Sequence, residues 1–169
     1  MSDALELYVR CDAPVPVSDL QWREWLTRWL QALNVSEPCE ISLMFTDDEA
    51  IQSLNRQYRQ IDRSTDVLAF AARESLIPDL LGTPDLPQGV SDVTGFLPFV
   101  MLGDIVVSVA TAERQAIAQQ HSLTEELAWL VAHGLLHLLG WDHPDERSLQ
   151  QMIRQQRELI ESVQLCQVV

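Results

Sequence analysis

Apolar residues recur along this chain with two distinct periods, and the switch between them divides it into elements. LELYVR (5–10) alternates every second residue, as a strand with one buried face does. After a Pro-containing turn, Ser18 stands as an N-cap. Beyond it Trp22, Trp25, Leu26, Trp29, Leu30 and Leu33 recur at three- and four-residue spacing, predicting a helix of roughly 15 residues. That spacing assigns the tryptophans to a core rather than to a stacking platform for nucleic-acid bases. CEISLMF (39–45) predicts a second strand, and Thr46-Asp47-Asp48-Glu49 reads as a capping box. The helix it opens carries Ile51, Leu54, Asn55, Tyr58 and Arg59 and runs out near Asp62.

DVLAF (66–70) and LGDIVVSV (102–109) predict the third and fourth strands. Between them Pro78, Pro84, Pro87 and Pro98 alternate with Gly82, Gly89 and Gly95, which predicts a long irregular insertion around 74–98. Three more helices follow: one through Glu113, Arg114 and Ile117, one from about Leu123 into a histidine-rich stretch, and one from about Asp145 toward Val163. Four strands interleaved with about five helices predict a single α+β domain over residues 1–169, built on a mixed four-stranded sheet.

The 169-residue length is enough for one domain with a real core, and 47% apolar residues with 21% charged exclude disorder. No apolar run reaches the ~18 residues that span a membrane. The N-terminus mixes acidic and apolar residues without the basic-then-apolar order of a secretion signal, so a cytoplasmic location and no membrane partner are expected. Cys11, Cys39 and Cys166 are odd in number and far apart, which predicts buried free thiols rather than disulfides. The formal charge of −14 excludes a broad basic face for gripping nucleic acid. The chain has no lysine, and all 11 permanent cations are arginines. Arg56, Arg59 and Arg63, with Arg73 further on, are their one concentration, and for Arg56 and Arg63 a role at the helix C-terminus suffices.

Chemistry concentrates in HGLLHLLGWDH (133–143). It matches the zinc-protease pattern H-E-x-x-H-x-x-G-x-x-H at His133, His137, Gly140 and His143, but Gly134 replaces the glutamate. On a helix His133 and His137 lie one turn apart on one face. Gly140 can take the left-handed conformation that ends a helix, letting His143 return as a third ligand. Three imidazoles suit one Zn2+ ion with an open position, whose bound water has its pKa lowered toward ~7. Asp142 is either an orienting partner for a ligand histidine or a turn residue, and His121 is assigned a solvated or capping role.

The stretch also resembles the signature H-G-x-L-H-L-x-G-Y-D-H of the YbeY family, zinc-dependent endoribonucleases and ribosomal RNA maturation factors. LNRQYRQIDRSTDVLAF (54–70) is similar to the family's L-N-x-x-Y-R-x-x-D-x-x-T-D-V-L-S-F segment, and LGDIVVS (102–108) to its L-G-D-I-x-I-S strand. The resemblance implies His133, His137 and His143 as zinc ligands and Arg59 as the functional arginine, with Arg59 and His133 the catalytic pair. Asn55, Asp62, Thr65 and Asp66 fall on further motif positions. Trp141 stands in place of tyrosine and Ala69 in place of serine, and the connection from Ala71 to Met101 is longer than the family's.

A physical account of the missing glutamate agrees. Peptide hydrolysis requires protonating a poor amine leaving group, whereas phosphodiester cleavage builds negative charge that a metal and a cation stabilise. Arg59 supplies a cation and cannot act as a base. Gly134 is expected to leave room beside the metal. The expected partners are single-stranded RNA, ribosomal RNA in particular, and ribosomal or ribosome-assembly proteins, with no DNA. The attacking group is either metal-bound water, the working choice, or the ribose 2′-hydroxyl. Two other readings stand beside this one: an assembly factor with slight nuclease activity, and a metal-dependent hydrolase of another substrate.

Overall fold

A computed structural model of the chain describes residues 5–72, 100–163 and 165. The insertion expected around 74–98, Arg73 and Cys166 lie outside them. The period-two segments pair as β1 (Leu5–Cys11), β2 (Cys39–Thr46), β3 (Val67–Ala71) and β4 (Val100–Ser108) in the spatial order β1-β2-β4-β3. β1 with β2 and β2 with β4 are parallel, and β3 with β4 is antiparallel, so the sheet is mixed as expected. Among the described residues five helices accompany it: α1 (Asp19–Ala32), α2 (Asp48–Arg59), α3 (Val109–Gln119), α4 (Leu123–Leu138) and α5 (Glu146–Ser162).

The register places Leu7, Ile41 and Gly103 side by side, with Leu43, Ile105 and Ala69 on the same face one step along. This face meets α1, α4 and α5 in one continuous core. Trp22, Trp25 and Trp29 lie inside it, as their spacing predicts. Trp22 stacks on Phe45 with ring centroids 5.3 Å apart, and the Trp29 indole N–H donates to the Leu159 carbonyl at 2.8 Å, tying α1 to α5. The opposite face carries α2, where Ile51 joins Leu68 and Val106 in a small separate cluster.

Two local expectations give way. The cap of α2 is Asp47, whose side chain accepts from the Ala50 N–H, and not Thr46. Thr46 instead pairs with Ser108 as the last rung of β2 against β4, so strand pairing takes the residue that the capping pattern claimed. Cys39 is buried and free, but Cys11 is exposed at the end of the edge strand β1.

Asp48 joins α2 to α3 across the end of the sheet. Its carboxylate accepts from the Ser108 and Thr111 hydroxyls, each at 2.6 Å, and from Arg114 at 2.8 Å. The two hydroxyls, followed by Arg114, lower its pKa to about 2. A carboxyl depressed in this way stabilises the fold above its unfolded value, and the contribution is lost as pH falls through the folded one. Asp48→Ala is therefore expected to cost about 1–3 kcal/mol in urea unfolding at pH 7, because two hydroxyls lose their acceptor. The gap between wild type and variant should narrow between about pH 4 and pH 2. A gap that stays constant over that range would show that the carboxylate charge is not involved.

Candidate metal centre

His133 and His137 ride on the most deeply buried of the described helices. α4 opens at Ser122, whose hydroxyl accepts from the Glu125 N–H at 3.1 Å, and Leu127, Val131, Leu135 and Leu138 bury its apolar side. Two glycines set how closely it approaches the sheet. A Cβ on Gly134 would stand 2.8 Å from Cγ2 of Ile105 in β4, and Ile105 is itself fully buried. Gly103 has φ +134° where β4 bulges against β2. A Cβ there would meet the Phe70 carbonyl oxygen at 2.1 Å and Leu138 Cδ2 at 3.0 Å. The room that Gly134 was expected to leave beside a metal is thus taken up toward the core. Gly134 does border the cleft, but the direction of its missing side chain leads into Ile105.

The helix ends as the glycine predicts. Gly140 has φ +95°, its N–H donates to the His137 carbonyl and the Trp141 N–H to that of Leu136, each at 3.0 Å. These two bonds form a Schellman turn, which reverses the chain. His143 comes back over the last turn of α4. Asp142 takes the turn role, accepting from the His143 backbone N–H at 2.8 Å.

All three histidines therefore converge, each offering a ring nitrogen within 4.8 Å of the others. The Nε2 atoms of His133 and His137 face each other at 3.0 Å. The His143 ring centroid lies 5.9 Å from that of His133 and 5.5 Å from that of His137. Burial, ahead of every other influence, pushes His133 and His137 below the ordinary histidine value. For His133 the hydrogen bond to Gln156 and the charge of Asp66 act the other way. For His137 the neighbouring histidines add to burial, while a backbone hydrogen bond with Trp141 and the charge of Asp142 oppose it. Both imidazoles are thereby kept neutral at pH 7, the form a metal ion requires. Three imidazole nitrogens brought together in this way fit one divalent ion of the zinc type. Among the described residues no fourth His, Cys, Asp or Glu joins the group.

His133, His137 and Gly134 line a cleft of about 590 Å³ whose opposite wall is β3. Arg59, the last residue of α2, borders the same cleft. Its guanidinium donates to the Ala69 carbonyl at 2.8 Å and lies 5.5 Å from the centroid of the Phe70 ring. Of the other arginines, Arg56 pairs loosely with Asp62 at 3.9 Å, and neither Arg56 nor Arg63 lines the cleft.

The further motif residues shape the segment between α2 and β3. Asn55 is buried and donates to the Arg63 carbonyl at 2.9 Å, and Asp62 accepts from Gln52 at 3.0 Å. Asp66 accepts from the Val67 N–H at 2.7 Å, from Thr65 at 3.3 Å and from Gln115 at 3.2 Å. His121 departs from its expected solvated or capping role: it is half-buried and bonded to the buried Glu126. Gln156, which no motif marked, reaches His133 from α5, with Oε1 3.4 Å from Nδ1.

A family model described as Endoribonuclease YbeY matches residues 11–164. A protein named Endoribonuclease YbeY from Synechococcus sp. (strain JA-2-3B'a(2-13)) is 53% identical over 165 residues, which cover 98% of this chain and 94% of that protein. One of the same name from Trichormus variabilis is 54% identical over 151 residues, 87% of this chain and 79% of the relative. The solution structure of TM1509 from Thermotoga maritima matches with a TM-score of 0.54 at 24% identity, covering 92% of this chain and 88% of that one, a likeness of fold.

The seating of α4 yields a direct test. Gly134→Ala gains about 1 kcal/mol of helix propensity. It also forces Ile105 aside in a packed core, which costs about 1–3 kcal/mol. A net loss of stability is expected, with a lower melting temperature, and Gly134→Glu should fail to fold because it drives a charge into the core. A Gly134→Ala variant more stable than wild type would show that the helix has slack against the sheet.

Proposed function

We propose a function from one established premise: this chain belongs to the Endoribonuclease YbeY family. It is an RNA-cleaving hydrolase that uses one zinc ion and acts on single-stranded RNA, ribosomal RNA above all, in rRNA maturation and ribosome quality control in the cytoplasm. The observation that carries the reading is the placing of two of the three clustered histidines and Arg59 on the walls of one cleft.

His133, His137 and His143 hold the ion. When bound there, zinc supplies a Lewis acid and a centre of positive charge for a phosphodiester oxygen. Arg59 supplies the second positive charge. The Ala69 carbonyl occupies one of its N–H donors and the Phe70 ring lies alongside, so the rest of a pre-oriented fork is available to a phosphate. Such a cation stabilises the charge that develops on phosphate oxygens in the transition state. The helix places no carboxylate at position 134, which is what separates this centre from one built for peptide hydrolysis.

The net charge of −14 bears on the substrate. Affinity for duplex nucleic acid comes mainly from neutralising many phosphates, for which a protein of this net charge is poorly suited. The chain therefore engages exposed single strands weakly and relies on ribosomal or ribosome-assembly proteins for targeting, with no role on DNA.

Metal content and RNA cleavage measured together on three proteins test this reading. His137→Ala is expected to lose both metal and cleavage. Arg59→Ala is expected to keep the metal and lose about 100-fold or more in cleavage, the usual scale for one removed charge donor. Wild type that holds metal but cuts no RNA would instead favour an assembly factor without nuclease activity. In the same preparations, submicromolar binding to arbitrary duplex RNA at physiological salt would contradict the single-strand preference.

A further inference from the structure

We infer that Gln156 is a positioning residue for the metal centre, fixing the His133 ring in the tautomer that turns its Nε2 lone pair toward His137. The inference rests on the three-histidine reading proposed above and deepens it. A neutral imidazole has one N–H and one lone pair, and only the nitrogen with the lone pair can ligate. What selects between them is the group opposite the other nitrogen.

Opposite Nδ1 of His133 stands Oε1 of Gln156, at 3.4 Å. The other end of the same amide settles its orientation: Nε2 of Gln156 donates to the Trp129 carbonyl at 2.8 Å. A backbone carbonyl can only accept, so a flipped amide would set oxygen against oxygen there and lose that bond. The amide oxygen is thus held toward His133, and an acceptor opposite Nδ1 keeps the proton on Nδ1. The lone pair then belongs to Nε2, the atom 3.0 Å from Nε2 of His137.

Trp129 lies one helical turn before His133 on α4, so Gln156 grips that helix at its backbone and at its ligand side chain together. Gln156 is only 1% exposed, which shields both bonds from competing water. Its neighbours on the inner face of α5 are Met152, Leu159 and Ile160. An apolar side chain would serve packing there equally well, whereas a buried amide costs free energy unless both its ends are satisfied. Here both are, and one of them is a metal-ligand candidate.

The test combines the ring tautomer of His133, read by long-range proton–nitrogen NMR on metal-free protein, with zinc affinity read by chelator competition. Wild type is expected to show the Nδ1–H tautomer. Gln156→Leu, which fills the space without an acceptor, should populate the Nε2–H form and weaken zinc binding by about 10–100-fold. Gln156→Met, which keeps the length of the side chain and loses both hydrogen bonds, should behave as Gln156→Leu does. A wild-type Nε2–H tautomer overturns the inference, and so does Gln156→Leu or Gln156→Met with unchanged tautomer and affinity. If Gln156→Leu does not fold, the wild-type tautomer and Gln156→Met still decide. Wild type that binds no zinc would sink the three-histidine reading as well, whereas zinc bound equally by wild type and Gln156→Leu sinks this inference alone.

Discussion

The candidate site depends on one contact, that of α4 with β4 at Gly134 and Ile105. Because position 134 has no side chain, the helix lies against the sheet with Ile105 filling the space a Cβ would need. Gly103 extends the same seat, bringing Leu138 and the Phe70 carbonyl together over a bulge in β4. Interiors packed to crystal-like density do not absorb an added carbon freely, so this spacing is a fixed dimension of the molecule. It sets the width of the cleft between α4 and β3. The absent glutamate is therefore a packing requirement before it is a matter of chemistry.

Charge is organised just as locally. Among the described residues the acidic chain presents one arginine to the cleft, and that arginine is oriented before any ligand arrives. The left-handed Gln60 ends α2 immediately after Arg59, and Asn55 and Asp66 hold the return of the chain into β3. The strand so placed offers the Ala69 carbonyl and the Phe70 ring to the guanidinium. A lysine ammonium would not reproduce this arrangement, because a planar fork can bond a carbonyl, lie along a ring and still present further donors. The side chains around the helix-end arginine thus explain the motif positions that carry no evident chemistry of their own.

Periodicity sufficed for the framework: the tryptophan stripe of α1, the alternation of β1 and β2 and the apolar face of α4 all lie where their spacing puts them. Local chemistry sufficed for the end of α4, since a glycine in the left-handed region terminates a helix whatever surrounds it. Where local and long-range demands met, the long-range one prevailed. Thr46 fits a cap, yet it pairs with Ser108, a residue 62 positions away (108 − 46).

The sequence by itself determined the α+β framework and the cluster of His133, His137 and His143, because helical spacing and a single turn bring those three together within eleven residues (133 to 143). Tertiary structure decided the rest of the centre. It set Arg59, His133 and His137 on one cleft, turned Gly134 toward Ile105, and brought Gln156 to His133 from 23 positions along the chain. Periodicity says which face of an element is buried. Which atoms then meet across that face depends on the register of the strands and the depth at which each helix seats, and packing sets both only when the whole chain has folded.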